Sequence, residues 1–157
     1  AYTNKLVEDA AGRVWVATNQ GLYVIDNPTD ASATSLTVRR PLVPRNDGTN
    51  FGDYLLETET IYDIASDPTD RKWIATGSSG VYLVSERGDR IIENFTTANS
   101  PLPSNTVYSV ACDPHSNRVF FGTSKGVVSY SSDSAPAADD YSEVYAFPNP
   151  VRPDGSP

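Results

Sequence analysis

At 157 residues the chain is long enough for one ordinary core, and 12 basic against 20 acidic residues leave it with a net charge of −8. That balance disfavours the phosphate-neutralising mode of nucleic-acid binding, so no nucleic-acid partner is expected. No run approaches the roughly 18 apolar residues of a membrane helix, no signal peptide is visible, and a single cysteine excludes an internal disulfide.

Strand signals dominate from the start. Lys5-Leu-Val-Glu8 reads as a strand, followed by Arg13-Val-Trp-Val-Ala-Thr18 and, beginning at a glycine, Gly21-Leu-Tyr-Val-Ile25. Leu36-Thr-Val38 is short and polar, as a sheet edge should be. Residues 39–57 then read as a long connector. Its Arg39, Arg40 and Arg45 are the nearest thing to a basic cluster and read as solvated loop residues rather than an anion site. The stretch from Arg45 to Asp53 has some calcium-loop flavour, but it lacks alternating carboxylates and a terminal glutamate. It reads as a flexible glycine-rich loop.

The pattern then restarts. Ile61-Tyr-Asp-Ile-Ala-Ser-Asp67 and Val107-Tyr-Ser-Val-Ala-Cys-Asp113 are β-rich runs, each closed by an aspartate-proline turn. Each leads to a copy of the earlier phrase, Trp73–Thr76 with Gly80-Val-Tyr-Leu-Val84, and Val119–Thr123 with Gly126-Val-Val-Ser-Tyr130. Arg90–Phe95 is the second outer-strand candidate, and residues 96–105 form the second connector. Thr18 to Thr76 is 58 residues and Thr76 to Thr123 is 47, the length of one β-propeller blade, with the first stretched by an insertion. The apolar residues run consecutively, as expected for sheets covered on both faces. The expectation is therefore an all-β chain, a partial β-propeller of about three four-stranded antiparallel blades spanning approximately 1–50, 51–100 and 101–130. Residues 131–140 read as an acidic Ser/Ala/Pro linker, and 141–157, with prolines at 148, 150 and 153, as the start of a following segment. Because single-chain propellers have about four to eight blades, the chain is expected to be the final part of a longer ring. Alternatively, its open half-ring would self-associate.

Pro103-Ser-Asn-Thr-Val-Tyr-Ser-Val-Ala-Cys-Asp113, led by Leu102 and followed by Phe120-Phe-Gly-Thr-Ser-Lys-Gly126, resembles the two-component regulator propeller repeat. Similar cores at Asp9–Tyr23 and Ile61–Tyr82 extend the likeness over most of the chain. Ala17 and Ala75 stand where the family often has glycine, and Phe120 where it has tryptophan. The resemblance implies one of two settings in Bacteroidetes. One is the propeller of the type IX secretion attachment complex, a cell-surface component thought to present anionic lipopolysaccharide. The other is the periplasmic, glycan-responsive half of hybrid two-component sensors. The stretch Tyr145–Pro153 resembles the lead into the C-terminal domain of the first group. The implied function is a non-catalytic cell-envelope binding or assembly module with protein and lipopolysaccharide or glycan partners, outer-membrane-associated or periplasmic. A hydrolase or lyase on the same scaffold is a remote third reading.

Nothing in the sequence requires a reaction, metal or cofactor. Gly122-Thr-Ser124-Lys-Gly126 fits a nucleophile pattern, but that chemistry needs a following helix, and here a strand follows. A hairpin turn is the better reading. His115 is the sole histidine, in a loop. Asp63, Asp67, Asp113 and Asp133 could pair for acid–base work, although Asp67 and Asp113 are better explained as turn caps. Trp15 and Trp73 could stack on sugar, yet their common register points to packing between blades. Cys112 reads as a buried small hydrophobe rather than a reactive thiol, and Asn94-Phe-Thr96 as a sequon relevant only in a eukaryotic secretory pathway.

Overall fold

A computed structural model describes residues 2–29 and 34–132, together with the backbone of 144–147. Among these residues there is no helix. The strands are β1 (Thr3–Glu8), β2 (Val14–Thr18), β3 (Gly21–Ile25), β4 (Val38–Arg39), β5 (Leu42–Pro44), β6 (Gly52–Tyr54) and β7 (Ile61–Ser66). They continue with β8 (Lys72–Thr76), β9 (Val81–Val84), β10 (Ile91–Phe95), β11 (Val107–Cys112), β12 (Arg118–Thr123), β13 (Gly126–Ser131) and β14 (Val144–Phe147). Three antiparallel meanders, β1 to β4, β7 to β10 and β11 to β14, are the three blades. A two-stranded hairpin, β5–β6, lies between the first and second.

Three expectations need correction. The outer strand of blade 1 is Val38–Arg39 rather than Leu36–Val38, because it is Val38 and Arg39 that pair with Ile25 and Val24. The first connector is not a plain loop: it holds the β5–β6 hairpin. Blade 3 does not end at 130, since Val144–Phe147 hydrogen-bonds to β13 and supplies the fourth strand. Four residues of the stretch assigned to a following segment, Val144–Phe147, therefore complete the sheet. Residues 133–143 and 148–157, with Asp133 among them, lie outside the described residues.

The repeated phrase has a local physical basis. In each copy the threonine hydroxyl donates to the carbonyl of the following glycine, Thr18 to Gly21 at 2.9 Å, Thr76 to Gly80 at 2.8 Å and Thr123 to Gly126 at 2.7 Å. The same hydroxyl accepts an amide of the turn, from Gln20, Ser79 or Lys125. Gly80 sits at φ +75° with the Phe95 carbonyl so close that an added Cβ would lie 2.0 Å from its oxygen. Only glycine fits there.

Packing follows the register. Trp15, Ala17, Leu22 and Val24 of blade 1 meet Ile61, Ile64, Ile74 and Val84 of blade 2. Trp73, Ala75, Val81 and Leu83, on the other face of blade 2, meet Val107, Val110, Phe121, Val128 and Tyr130 of blade 3. Blade 2 is thus covered on both sides, and every residue of β8 is buried. Each large side chain so buried contributes about 1.5–3 kcal/mol. The end faces show the converse. Leu6 is 57% exposed, whereas Ile64 and Val110, its counterparts in register, are 1% and 6% exposed.

At one end of the blades, aspartates close the turns between the first two strands. Asp9 accepts the amides of Ala11 and Arg13, Asp67 those of Thr69 and Arg71, and Asp113 that of His115. Between blades 1 and 2 this end carries a buried ion cluster. Lys72 Nζ donates to Asp9 Oδ2 (3.0 Å), the Asp70 carbonyl (2.7 Å) and the Glu86 carbonyl (2.8 Å), and lies over the Trp15 ring. Trp15 Nε1 donates to the same Asp9 oxygen at 2.9 Å. Burial would push the Asp9 carboxyl up, but the donors Trp15, Lys72 and Arg13 outweigh it and hold the group well below the usual carboxylate range.

Candidate binding face

The opposite end gathers the turns between second and third strands and the last residues of each connector, because antiparallel pairing brings the end of β2 beside the start of β1. Its main-chain groups are satisfied by a repeated set of bonds. The amides of Asn19, Gly77 and Ser124 donate to the carbonyls of Tyr2, Thr60 and Thr106 at 2.9–3.1 Å. Between blades, the Gly21 amide reaches Glu59 O (2.8 Å) and the Gly80 amide Asn105 O (2.9 Å). The hydroxyls of Thr60 and Thr106 donate back to Asn19 O and Gly77 O. The backbone at this end is thereby fixed without help from most of the outward-facing side chains.

Those side chains differ from blade to blade. Each inner strand carries a bulge at one position, occupied by Asn4, Tyr62 and Tyr108. Such bulges re-aim side chains. Asn4 donates to the Ile61 carbonyl, while Tyr62 and Tyr108 are partly exposed with ring centroids 5.3 Å apart, tilted by 54°. One residue further on, Asp63 links all three blades: it accepts the Val110 amide at 3.0 Å and pairs with Lys5 at 3.3 Å. Glu59 binds the hydroxyls of Ser78 and Ser79. Chiefly through burial, and secondarily through the Glu59 carboxylate, the Tyr82 phenol is pushed above its ordinary value.

Beside these groups an open cleft of about 480 Å³ is lined by Asn19, Gln20, Tyr23, Arg40, Glu57 and Thr58. Arg40 is its one cation. Its guanidinium stands 5.1 Å from the centroids of both Tyr23 and Tyr54 and donates to the carbonyls of Gln20 and Glu57 at 3.2 Å. The arginines were expected to be solvated; Arg40 is only partly so, its guanidinium wedged between two rings at the edge of the cleft. Arg39 and Arg45 are more exposed and each holds a carboxylate, Asp26 at 2.6 Å and Asp53 at 2.8 Å. The three side chains do not converge on an anion site. The loop expected to be flexible is a hairpin tip braced by the Arg45–Asp53 pair.

The remaining candidates separate. Ser124 Oγ shares a hydrogen bond with Ser104 Oγ at 2.7 Å, while His115 is in the β11–β12 turn, at the far end of β12. They form no pair. Asp67 and Asp113 cap turns as expected. Trp15 and Trp73 are fully buried between blades, so neither offers a face to a sugar. Cys112 is half-buried against the core, and burial, with the Asp67 carboxylate nearby, pushes its thiol up to about 12. Asn94 Nδ2 is committed to the carbonyls of Ser79 and Val81. Tyr62, Tyr108 and the Arg40 cleft were not found from sequence; exposed aromatics in otherwise apolar strands were the available signal.

No protein-family model and no curated protein matches the chain. Solved structures do. The chain superposes on PorZ, an essential bacterial surface component of the type-IX secretion system of Porphyromonas gingivalis, with TM-score 0.79 and 29% identity, over 87% of its own length and 18% of that protein's. It is also similar to the extracellular domains of two hybrid two-component systems of B. thetaiotaomicron. One matches at TM-score 0.65 and 23% identity, covering 92% of this chain and 17% of that one. The other matches at TM-score 0.60 and 18% identity, covering 81% and 17%. The chain thus spans about a fifth of the length of these proteins. Its fold is of the propeller type, and its structural neighbours, one a bacterial surface component and two extracellular domains, fit a propeller family of Bacteroidetes.

Proposed function

We propose that this chain is part of a non-catalytic binding and assembly module of the cell envelope, acting in type IX secretion as PorZ does. The observation that carries the reading is the likeness to PorZ, which exceeds that to the sensor domains in both identity and TM-score. The structure supports a binding role through the loop-built face, where exposed side chains such as Gln20, Tyr62 and Tyr108 stand beside a main-chain framework that joins the blades. Protein partners and lipopolysaccharide are the ligands this reading implies. Ser124, bonded to another serine and far from His115, supports the absence of an acyl-transfer site.

The test is deletion of the gene in the bacterium that encodes it, with complementation by the full-length protein. Cargo of the type IX system should fail to reach the cell surface and should return on complementation. Normal cargo delivery, with altered transcription in response to an added polysaccharide instead, would replace this reading with the sensor one.

A further inference from the structure

The sugar-stacking role weighed for Trp15 and Trp73 is closed to them by burial. Exposed rings stand instead on the innermost strands of blades 2 and 3. Tyr62 is 37% and Tyr108 52% exposed, with ring centroids 5.3 Å apart and planes tilted by 54°. Neither ring belongs to the cores that join the blades. Each sits on a bulge that lifts it out of the ladder, and among the described residues neither phenol hydroxyl has a hydrogen-bond partner. Gly77 lies beside the Tyr62 ring, where an added Cβ would stand 3.4 Å from Cε2, so no side chain covers the ring from that position. Blade 1 brings two polar groups to β7, one on each side of Tyr62. Asn4 Nδ2 donates to the Ile61 carbonyl at 2.9 Å, leaving its amide oxygen as an acceptor, and Lys5 pairs with Asp63 at 3.3 Å while staying 46% exposed.

The charges at this end balance. Lys5, Arg40 and Lys125 stand against Asp63, Glu57 and Glu59, in a chain whose net charge is −8. Of these, Glu59 is bound by Ser78 and Ser79, and Lys5 by Asp63. The face thus selects neither an anion nor a cation. Single-stranded nucleic acid also stacks on aromatic rings, but it needs a basic groove for its backbone, and Lys5 is the only cation on the three inner strands. Proline-rich segments dock in aromatic-lined grooves, whereas these rings stand outside the Arg40 cleft. A sugar ring asks for what is present. Its C–H face packs on an aromatic ring, and its hydroxyl rim meets a few fixed polar groups.

We propose that Tyr62 and Tyr108 form a saccharide-binding platform at the loop end, their rings packing on sugar C–H faces, with Asn4 and Lys5 as the polar groups at its edge. The proposal rests on the binding-module reading and names where a saccharide is held. The sugar comes from a lipopolysaccharide or from a free glycan. The ring chemistry is shared, and the test separates the two sources.

The test is a saturation-transfer difference NMR titration of the whole chain with two probes. One is the polysaccharide released by mild acid from the lipopolysaccharide of the encoding bacterium, and the other is maltoheptaose as a free glycan. At least one should bind, and which one does identifies the source. Tyr62→Ala and Tyr108→Ala should each weaken binding about tenfold or more, while Tyr62→Phe and Tyr108→Phe, which keep the ring, should leave it nearly unchanged. Phe51→Ser, which removes an exposed ring from the β5–β6 hairpin, should have no effect. Far-ultraviolet circular dichroism checks that each variant is folded. Binding of neither probe, or full affinity in Tyr62→Ala and Tyr108→Ala, overturns the proposal. Binding of a proline decapeptide in place of both saccharides also overturns it and assigns the rings to a protein segment. Absence of saccharide binding while gene deletion still blocks cargo delivery would remove the platform and leave the module reading standing.

Discussion

Trp15 and Trp73 occupy the same position in consecutive blades and are both fully buried, yet their indole N–H groups meet different fates. Trp15 Nε1 donates to the buried Asp9 carboxylate at 2.9 Å, whereas Trp73 Nε1 is buried without an acceptor. Replacing either by phenylalanine removes a similar volume from a packed core, at about 2 kcal/mol, roughly half the cost of truncation to alanine. Trp15→Phe additionally loses a hydrogen bond to a charged acceptor, about 1.5–3 kcal/mol, while Trp73→Phe relieves an unmet donor and recovers about 1–3 kcal/mol. Trp15→Phe should therefore destabilise by about 4 kcal/mol and Trp73→Phe by about 1 kcal/mol or less. Urea unfolding followed by far-ultraviolet circular dichroism measures both. A pH series adds an independent arm. The depressed Asp9 carboxyl contributes stability that is full above its unfolded value, about 3.9, and is lost as pH falls below it. The deficit of Trp15→Phe should accordingly shrink as pH is lowered from about 5 to about 2. Indistinguishable midpoints for the two variants, or a deficit that grows in acid, would refute the reasoning.

The same cluster predicts that Lys72→Met, which strips the cation from Asp9 and two backbone carbonyls, costs about 3–5 kcal/mol. It should cost markedly less in an Asp9→Asn background, a double-mutant cycle that chemical denaturation can close. Gly80→Ala, which sets a methyl group against the Phe95 carbonyl, should prevent folding or cost more than about 3 kcal/mol. Gly12→Ala, at φ +82° with open space around it, should cost about 1 kcal/mol; thermal melts of the pair would separate crowding from backbone strain. With its thiol pushed up to about 12, Cys112 should alkylate at pH 8 about a thousandfold more slowly in the folded chain than in urea, as measured by iodoacetamide labelling and mass spectrometry.

What was legible in the sequence is what local chemistry decides. The threonine-to-glycine turn and the aspartate-capped turn each close within a few residues, so they recur as readable phrases and fix three blades in register. The fourth strand of blade 3 was hidden because β14 reaches β13 across twelve intervening residues rich in serine, alanine and acid. The hairpin was hidden because its strands have three residues each, too few for alternation to show. Lys72 was the least expected core residue, occupying a register position that is valine in blade 1 (Val14) and in blade 3 (Val119). A lysine in an apolar position of a repeat is itself a signal that a buried carboxylate waits nearby, and Asp9 is that carboxylate.

The two ends of the blades obey different constraints, and this bears on where function is written. At the turn end, side chains are the structure: Asp9, Asp67 and Asp113 cap their own turns, and Lys72, Arg13 and Trp15 tie blade 1 to blade 2, so substitution there is read as stability. At the loop end, main-chain bonds from Gly21 to Glu59 and from Gly80 to Asn105 join the blades. Substitution of an exposed side chain such as Gln20, Ser78 or Lys125 leaves those bonds in place. Asn4, Tyr62 and Tyr108 can therefore differ at one bulge position, and Asn19-Gln20, Gly77-Ser-Ser79 and Ser124-Lys125 can differ in one turn, without altering the blade they belong to. A scaffold that secures its backbone this way can change what it holds one residue at a time, so the chemistry of recognition is to be sought in the residues by which the repeats differ.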